Sequence, residues 1–420
     1  MAKIAAIDAW EILDSRGRPT LAAALRLDDG AAASLSVPSG ASTGRAEAKE
    51  LRDGGGRYRG FGCQRAVANV RGPIAEALLH ETFEHQEQFD RRLLELDGTS
   101  DKSKLGANAL VAMSLVFARA VARQQQTELF QYFASLLPDA LPWMPAMTIN
   151  LFSGGKHAFG QVSIQDVLVV PRSGSAIAQG LALMYDVYQA AAEICARRYN
   201  VRPLTADEGG LAPPFRSSFE MLQTAAEAIH AAGYEIGLDA ALAVDLAASH
   251  FVRTDHGYDL DGERLSPDRL IETIGLWTEA FPIVSVEDGL SEDAWDHWPV
   301  LRQRLGSHVL VLADDLTCTN PARIQRAIES RAANALLLKV NQVGTVTEAR
   351  EALLAARTAG WQVSVSARSG ETEDNWLADL AVGWSADFIK VGSITQSDRL
   401  AKYNRLLEIE HLHGLGGRAR

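Results

Sequence analysis

Six apolar runs in the second half of the chain each end in a charged side chain. The residues at these ends are three carboxylates and three cations: Asp245, Glu287, Asp314, Lys339, Arg368 and Lys390. Short apolar runs are typical of buried parallel strands. In a (β/α)8 barrel, catalytic groups lie at the C-terminal ends of the strands. The pattern therefore predicts that these six side chains converge on one rim of a barrel.

Helix signals recur between these runs. Residues 217–220 and 345–348 have the pattern of a capping box, and Asn320 precedes a proline at a first helical position. Strands that alternate with capped helices predict an α/β fold. The stretch over residues 143–420 fits one (β/α)8 barrel of the usual ~250 residues.

The first part of the chain has a different pattern. Residues 4–12, 20–27 and 31–37 are typical of short strands, and helical stretches follow them. A proline-containing segment, residues 137–142, is a plausible linker to the barrel. We therefore predict an α+β domain over residues 1–135.

Composition limits the possible partners. The 420 residues are 47% hydrophobic and carry a formal net charge of −12, which makes the chain a poor general binder of nucleic acid or anionic membrane. No apolar stretch reaches the ~18 to 20 residues of a membrane span. The three cysteines show neither metal-ligand spacing nor a disulfide framework. We expect cytoplasmic residence and no nucleic-acid or membrane partner.

The three strand-end carboxylates predict a metal site. Asp245, Glu287 and Asp314 would repel one another unless a cation joined them, and hard oxygen ligands favour Mg2+ or Mn2+. The alternative is that each carboxylate caps the loop that follows its strand. Capping explains any one of them as well as a metal does, but it explains all three together less well.

Lys339 is the candidate general base. Near a divalent cation its ammonium form should be disfavoured, which lowers the pKa toward the range that proton abstraction needs. A lysine that merely extends from a strand end to the surface is the alternative.

Other candidates lie in loops and at the remaining strand ends. Glu208 lies in a tight acidic turn followed by two glycines, a composition that is also common in turns without function. Arg368, Ser369 and Lys390 supply donors for an anion. His157 lies in a glycine-containing loop, where a lone histidine is more often solvated than functional.

Taken together, these motifs resemble the enolase (phosphopyruvate hydratase) family over nearly the whole chain. Among them are Asp14-Ser15-Arg16-Gly17, Val286-Glu287-Asp288-Gly289 and Lys339-Val340-Asn341-Gln342. Further matching segments are residues 36–44, 96–99, 104–109, 207–210, 314–316, 368–374 and 399–404. The resemblance implies an N-terminal α+β lid domain. It also implies a barrel whose first strands depart from the all-parallel pattern, and a homodimer or larger assembly.

The resemblance also implies a reaction: the Mg2+-dependent interconversion of 2-phospho-D-glycerate and phosphoenolpyruvate. Lys339 would remove the C2 proton, Lys390 would stabilise the enolate, and Glu208 would act on the departing 3-hydroxyl. Two Mg2+ ions are implied. The first would be held by Asp245, Glu287 and Asp314, and Ser42 would help to hold the second as its loop closes. The remaining implied site residues are Arg368 and Ser369 for the phosphate, Gln165 for substrate binding, His157 on a closing loop and Asp166 beside Glu208.

The chain departs from the family on one side of this site. Ala367 replaces a family histidine, and Asp166 replaces a longer glutamate. We expect proton abstraction at C2 to be retained and departure at C3 to be slowed or redirected. The alternatives are a paralogue acting on a related phosphoglycerate or phosphonate and, less favoured, a non-catalytic binding protein on the same scaffold.

Four departures lie outside the site. The family commonly has a different, charged residue at each of these positions: Trp10, Ala22, Gln396 and Glu408. The family residues at the first two positions take part in intersubunit ion pairs. We therefore expect a homo-oligomer with altered contacts.

Overall fold

The computed structural model describes residues 1–40, 44–172, 176–202 and 204–417. Ser42, the predicted ligand of a second Mg2+, lies outside these residues. The chain begins with an antiparallel sheet in the order β3-β2-β1-β4. Its strands are β1 (Ala2–Leu13), β2 (Pro19–Leu27), β3 (Ala32–Ser36) and β4 (Thr82–Phe83).

The helices of this part pack on the sheet and on one another. They are α1 (Gln64–Asn69), α2 (Ala75–Leu78), α3 (Gln86–Asp97), α4 (Ala107–Gln124) and α5 (Leu129–Ser135). Helix α4 is buried around almost its whole circumference and packs on β2 and β3. A helix that is apolar on all sides belongs in an interior, so α4 forms the centre of the N-terminal part.

Eight strands of the second part close into a barrel, in the order β10-β11-β12-β13-β14-β5-β6-β7. The strands are β5 (Ala146–Ser153), β6 (Asp166–Pro171), β7 (Ala240–Asp245), β10 (Ile283–Glu287), β11 (Leu310–Ala313), β12 (Ala335–Leu338), β13 (Gln362–Ser366) and β14 (Phe388–Gly392). Strand β6 runs antiparallel to both of its neighbours, and the other pairs are parallel. The predicted barrel, including its departure from the all-parallel pattern, is confirmed.

Helices surround the barrel, and a small hairpin of β8 (Tyr258–Leu260) and β9 (Glu263–Leu265) interrupts the repeat. The helices are α6 (Ile177–Tyr199), α7 (Ser218–Ala231), α8 (Pro267–Ala280), α9 (Trp298–Leu305), α10 (Pro321–Glu329), α11 (Val346–Thr358), α12 (Trp376–Gly383) and α13 (Ser397–His413). The predicted N-termini of α7, α10 and α11 are confirmed, because the side chains of Ser217, Asn320 and Thr345 accept hydrogen bonds from backbone N–H groups of the first turn.

Polar contacts hold the N-terminal part against the rim loops. Ser39 and Gly370 exchange two backbone hydrogen bonds of 2.8 and 3.0 Å, which places the β3 end beside the loop after β13. Arg119 of α4 pairs with Asp374. Residues from both parts of the chain therefore surround the rim. Among the described residues, no helix has both the length and the apolar character needed to cross a membrane.

Candidate active site

The six charged residues of the apolar runs meet at the C-terminal rim. Asp245 and Glu287 end β7 and β10, and Asp314 and Lys339 directly follow β11 and β12. All six line one cavity of about 30 Å³. Four further candidate residues line the same cavity: His157, Gln165, Glu208 and Ser369. Ala367, one of the departures from the family, lines it as well. Asp166 lies just behind this lining and is fully buried.

Lys390 neutralises two of the predicted metal ligands. Its ammonium lies 2.8 Å from Asp245 Oδ2 and 2.7 Å from Glu287 Oε2. Asp245 and Glu287 are neighbours in register on β7 and β10. Burial, together with the Asp245 charge, raises the pKa of Glu287 well above its usual range. Burial disfavours the ammonium of Lys390, but the two carboxylates outweigh it and raise its pKa.

Asp314 is bound separately from the other two carboxylates. Lys339 donates to its Oδ2, and Gln342 Nε2 donates to Oδ1 at 3.0 Å. The prediction of a lowered lysine pKa does not hold among the protein's own groups. Burial lowers the pKa of Lys339, but the nearby carboxylates, Asp314 foremost and Glu287 after it, together raise it above its usual value. A divalent cation beside the lysine would lower its pKa, whereas the protein alone places a carboxylate there.

The predicted triad is suited to a hard cation but does not converge tightly. Among the described residues, the groups whose ligand atoms lie within 4.8 Å of one another are His157, Asp166 and Glu208, and Asp288, Asp314 and Asp315. Asp245 and Glu287 instead share Lys390. Two observations favour a cation at the triad. The pKa of Glu287 is raised beside Asp245, and the buried Oε1 of Gln165 has no hydrogen-bond partner in the described part of the chain.

Glu208, His157 and Asp166 form a second charged group. His157 Nδ1 lies 3.2 Å from Asp166 Oδ2, and Nε2 lies 3.8 Å from Glu208 Oε1. The interpretation of His157 as a solvated loop residue is wrong, because its side chain is only 6% exposed between two carboxylates. Burial lowers the pKa of His157, but Glu208 and Asp166 outweigh it and raise the pKa to about 9. The ring is therefore an imidazolium at neutral pH.

The same group keeps Glu208 ionised. Burial raises its pKa, but His157, Arg399 and the two site lysines outweigh burial and lower the pKa to about 2. Asn150 Nδ2 donates to Glu208 Oε2 at 3.0 Å. Burial raises the pKa of Asp166, which accepts a 2.6 Å hydrogen bond from Ser153 Oγ. The turn that carries Glu208 thus places a carboxylate inside the barrel mouth.

The anion donors are in contact with the N-terminal part of the chain. Arg16 Nη1 donates to Ser369 Oγ at 3.2 Å, and Glu47 binds Arg368 through both carboxylate oxygens. Sequence reasoning assigned no role to Arg16, Glu47, Gln342 or Asn150. Arg16 and Gln342 lie in segments that match the family, so a signal was present for them. Glu47 and Asn150 lie in none of those segments.

Comparison with known families agrees with this arrangement. Residues 4–133 match the family model described as enolase, N-terminal domain, and residues 142–419 match that described as enolase, C-terminal TIM barrel domain. The chain belongs to the enolase family. Membership supports a lyase of the enolase superfamily, a family whose fold generally binds Mg2+.

Proposed function

We propose that this member of the enolase family is a Mg2+-dependent hydro-lyase that interconverts 2-phospho-D-glycerate and phosphoenolpyruvate. One observation carries the proposal: Lys339, Glu208 and Arg368 line a single buried cavity together with Asp245, Glu287 and Asp314. A base, an ionised carboxylate, an anion receptor and ligands for a hard cation are the groups that this reaction needs.

The residues divide the reaction between C2 and C3. In the neutral form, Lys339 takes the C2 proton, and the electron pair moves onto the substrate carboxylate. Mg2+ held by Asp245, Glu287 and Asp314 would supply positive charge that stabilises this enolate. Lys390 adds a fixed positive charge, since its ammonium is buried beside the same carboxylates.

At C3 the carbon–oxygen bond breaks as the double bond forms. The departing hydroxyl needs a proton in order to leave as water. His157 holds one on its ring between Asp166 and Glu208. We therefore assign proton donation at C3 to His157 together with Glu208. Ala367, which lines the same cavity, offers no titratable group for this role.

Substrate binding requires the ion pairs of the site to exchange partners. The cavity of about 30 Å³ holds only one or two waters, while Lys390, Lys339 and Arg368 are each bound to carboxylates of the protein. If Asp314 instead held a metal ion, Lys339 would lose the carboxylate that contributes most to raising its pKa. Exchange of these pairs would therefore make Lys339 a better base.

A second candidate is a paralogous reaction with altered leaving-group chemistry on a related phosphoglycerate or phosphonate. The specific observation is Ala367, which lines the cavity directly before Arg368. An alanine there leaves room for a C3 substituent larger than a hydroxyl. The C2 chemistry by Lys339 is common to both candidates.

The product formed from 2-phospho-D-glycerate distinguishes the candidates. We expect purified protein with Mg2+ to form phosphoenolpyruvate, detected by its ultraviolet absorbance, and chelation to stop the reaction. Solvent exchange at C2 without phosphoenolpyruvate would favour the second candidate. Calorimetry that detects neither Mg2+ nor 2-phospho-D-glycerate binding would favour a non-catalytic protein.

We also propose a cytoplasmic homo-oligomer that binds a small phosphorylated substrate. Support for the oligomer comes from the family, whose members are usually dimers or larger. The acidic net charge argues against a nucleic-acid or membrane partner.

A further inference from the structure

A carboxylate of the N-terminal part lies on the guanidinium of Arg368. Glu47 Oε2 accepts from Arg368 Nη1 at 3.0 Å, and Oε1 accepts from Nη2 at 3.2 Å. The two side chains are 7% and 3% exposed. Such a bidentate pair uses the same edge of the guanidinium that recognises phosphate. Glu47 therefore lies where the proposed function places the substrate phosphate.

The carboxylate is held by more than the arginine. Gly44 N–H donates to Oε1 at 3.0 Å, and Gln342 Nε2 donates to the same oxygen at 3.3 Å. Asn341 Oδ1 accepts a second hydrogen bond from Arg368 Nη1 at 3.0 Å. Burial lowers the pKa of Arg368, but the surrounding carboxylates, with Glu47 the strongest among them, together raise it. The site thus holds a monoanion through four donors.

We propose that Glu47 is a specificity-determining residue: it is an internal competitor for Arg368 that only a dianionic phosphoryl or phosphonyl group displaces. This inference rests on the proposed function, because it takes Arg368 as the receptor for the substrate phosphate.

The preference follows from charge and connectivity. A free carboxylate or a phosphodiester carries one negative charge, as Glu47 does, but it must also lose its free motion on binding, so the tethered Glu47 wins. A phosphate monoester carries nearly two charges and offers three acceptor oxygens. Its interaction with Arg368 can therefore be stronger than the Glu47–Arg368 ion pair that it replaces. The site should therefore select phosphate monoesters and phosphonates over carboxylates and diesters.

The competing explanation is that Glu47 only orients Arg368, and phosphate affinity separates the two. Removing a competitor strengthens phosphate binding, whereas removing an orienting partner weakens it. We expect Glu47→Gln to bind inorganic phosphate about tenfold more tightly than the wild type by calorimetry at pH 8, because two charge-assisted hydrogen bonds no longer have to break. Unchanged or weaker binding would overturn the proposal.

Glu292→Gln is the matched control. Glu292 is a buried carboxylate whose side chain accepts a hydrogen bond from the backbone of Arg45, two residues before Glu47, and pairs with the Arg45 guanidinium. We expect its phosphate affinity to equal that of the wild type. Glu47→Asp keeps the charge but shortens the reach, so its affinity should lie between those of the wild type and Glu47→Gln.

A second pair of ligands tests the charge preference. At pH 8 methyl phosphate is a dianion, and dimethyl phosphate is a monoanion. We expect the wild type to bind only methyl phosphate, and Glu47→Gln to bind both. Equal selectivity in the two proteins would contradict the proposal. Loss of phosphate binding in Arg368→Met would confirm the receptor. Retained binding would show instead that the phosphate role proposed for Arg368 is wrong, whatever Glu47 does.

Discussion

Positive and negative side chains of the site neutralise one another at the scale of single residues. Lys390 binds Asp245 and Glu287, Lys339 binds Asp314, and Arg368 binds Glu47. Each cation proposed to act on substrate is thus paired with a carboxylate of the protein. Buried charges need such partners, because an unpaired charge in a protein interior is costly. Under the proposed function, substrate and metal would therefore replace existing ion pairs.

Ala367 is the residue at which restoring the family side chain should change the rate. We expect Ala367→His to raise the rate of phosphoenolpyruvate formation by at least about tenfold, because a proton donor would return to the C3 side. The coupled absorbance assay measures this directly. Ala367→Phe is the control, since it restores a ring without a titratable nitrogen. Equal rates in the two variants would show that ring volume, not proton donation, matters at this position.

The site residues differ in whether the neighbouring sequence alone predicts their position. Asp245, Glu287 and Lys339 directly end or follow apolar strands, so the barrel topology alone predicts that they meet. Glu47 reaches Arg368 across 321 residues of sequence, and Arg16 reaches Ser369 across 353. No periodicity in a single sequence encodes such contacts between the two parts of the chain. The burial of His157 was also missed, because it depends on Asp166 and Glu208 from other segments.

Element boundaries followed local capping chemistry. Asn320 accepts hydrogen bonds from Ala322 N–H at 3.0 Å and Arg323 N–H at 3.2 Å at the start of α10. We expect Asn320→Ala to lower the free energy of unfolding by about 1 kcal/mol, because two N–H groups lose their acceptor. Urea unfolding measures this change. Asn320→Asp, which keeps an acceptor, should leave stability nearly unchanged. A similar loss in both variants would argue against capping.

The contact between α3 and α11 predicts a pH dependence. Asp90 of α3 accepts hydrogen bonds from the N–H and hydroxyl of Thr347 at 2.9 and 2.6 Å. Burial raises the pKa of Asp90 to about 6. The folded protein therefore holds this proton more tightly than the unfolded chain. The resulting stability is fully present below about pH 4 and is lost as the pH rises through about 6.

Asp90→Asn isolates this effect, because asparagine does not titrate. We expect the unfolding free energy of the wild type, relative to Asp90→Asn, to fall by about 3 kcal/mol between pH 4 and pH 7, as a shift of about two pKa units requires. Urea unfolding of both proteins at both pH values gives the difference. A difference that does not change with pH would contradict the assigned pKa.

The oligomeric state belongs to the scale of the whole molecule. Trp10 is 39% exposed and lies opposite Ala22 in the β1–β2 register, at positions where the family commonly has charged residues. We expect a homodimer at micromolar concentration whose contacts at this surface are apolar rather than ionic, so that added salt does not dissociate it. Sedimentation velocity at low and high salt tests this. A monomer throughout, or dissociation by salt, would contradict the expectation.

The central claim is that Lys339 makes an enolate at C2 in a metal-dependent site. Deuterium exchange at C2 of 2-phospho-D-glycerate in D2O, followed by proton NMR, tests it most directly, because exchange does not depend on what leaves C3. We predict exchange by the wild type with Mg2+. We also predict a loss of at least about a hundredfold in Lys339→Ala and no exchange after chelation. Exchange that persists in Lys339→Ala, or that is absent from a wild-type protein shown to bind both substrate and Mg2+, would contradict the account.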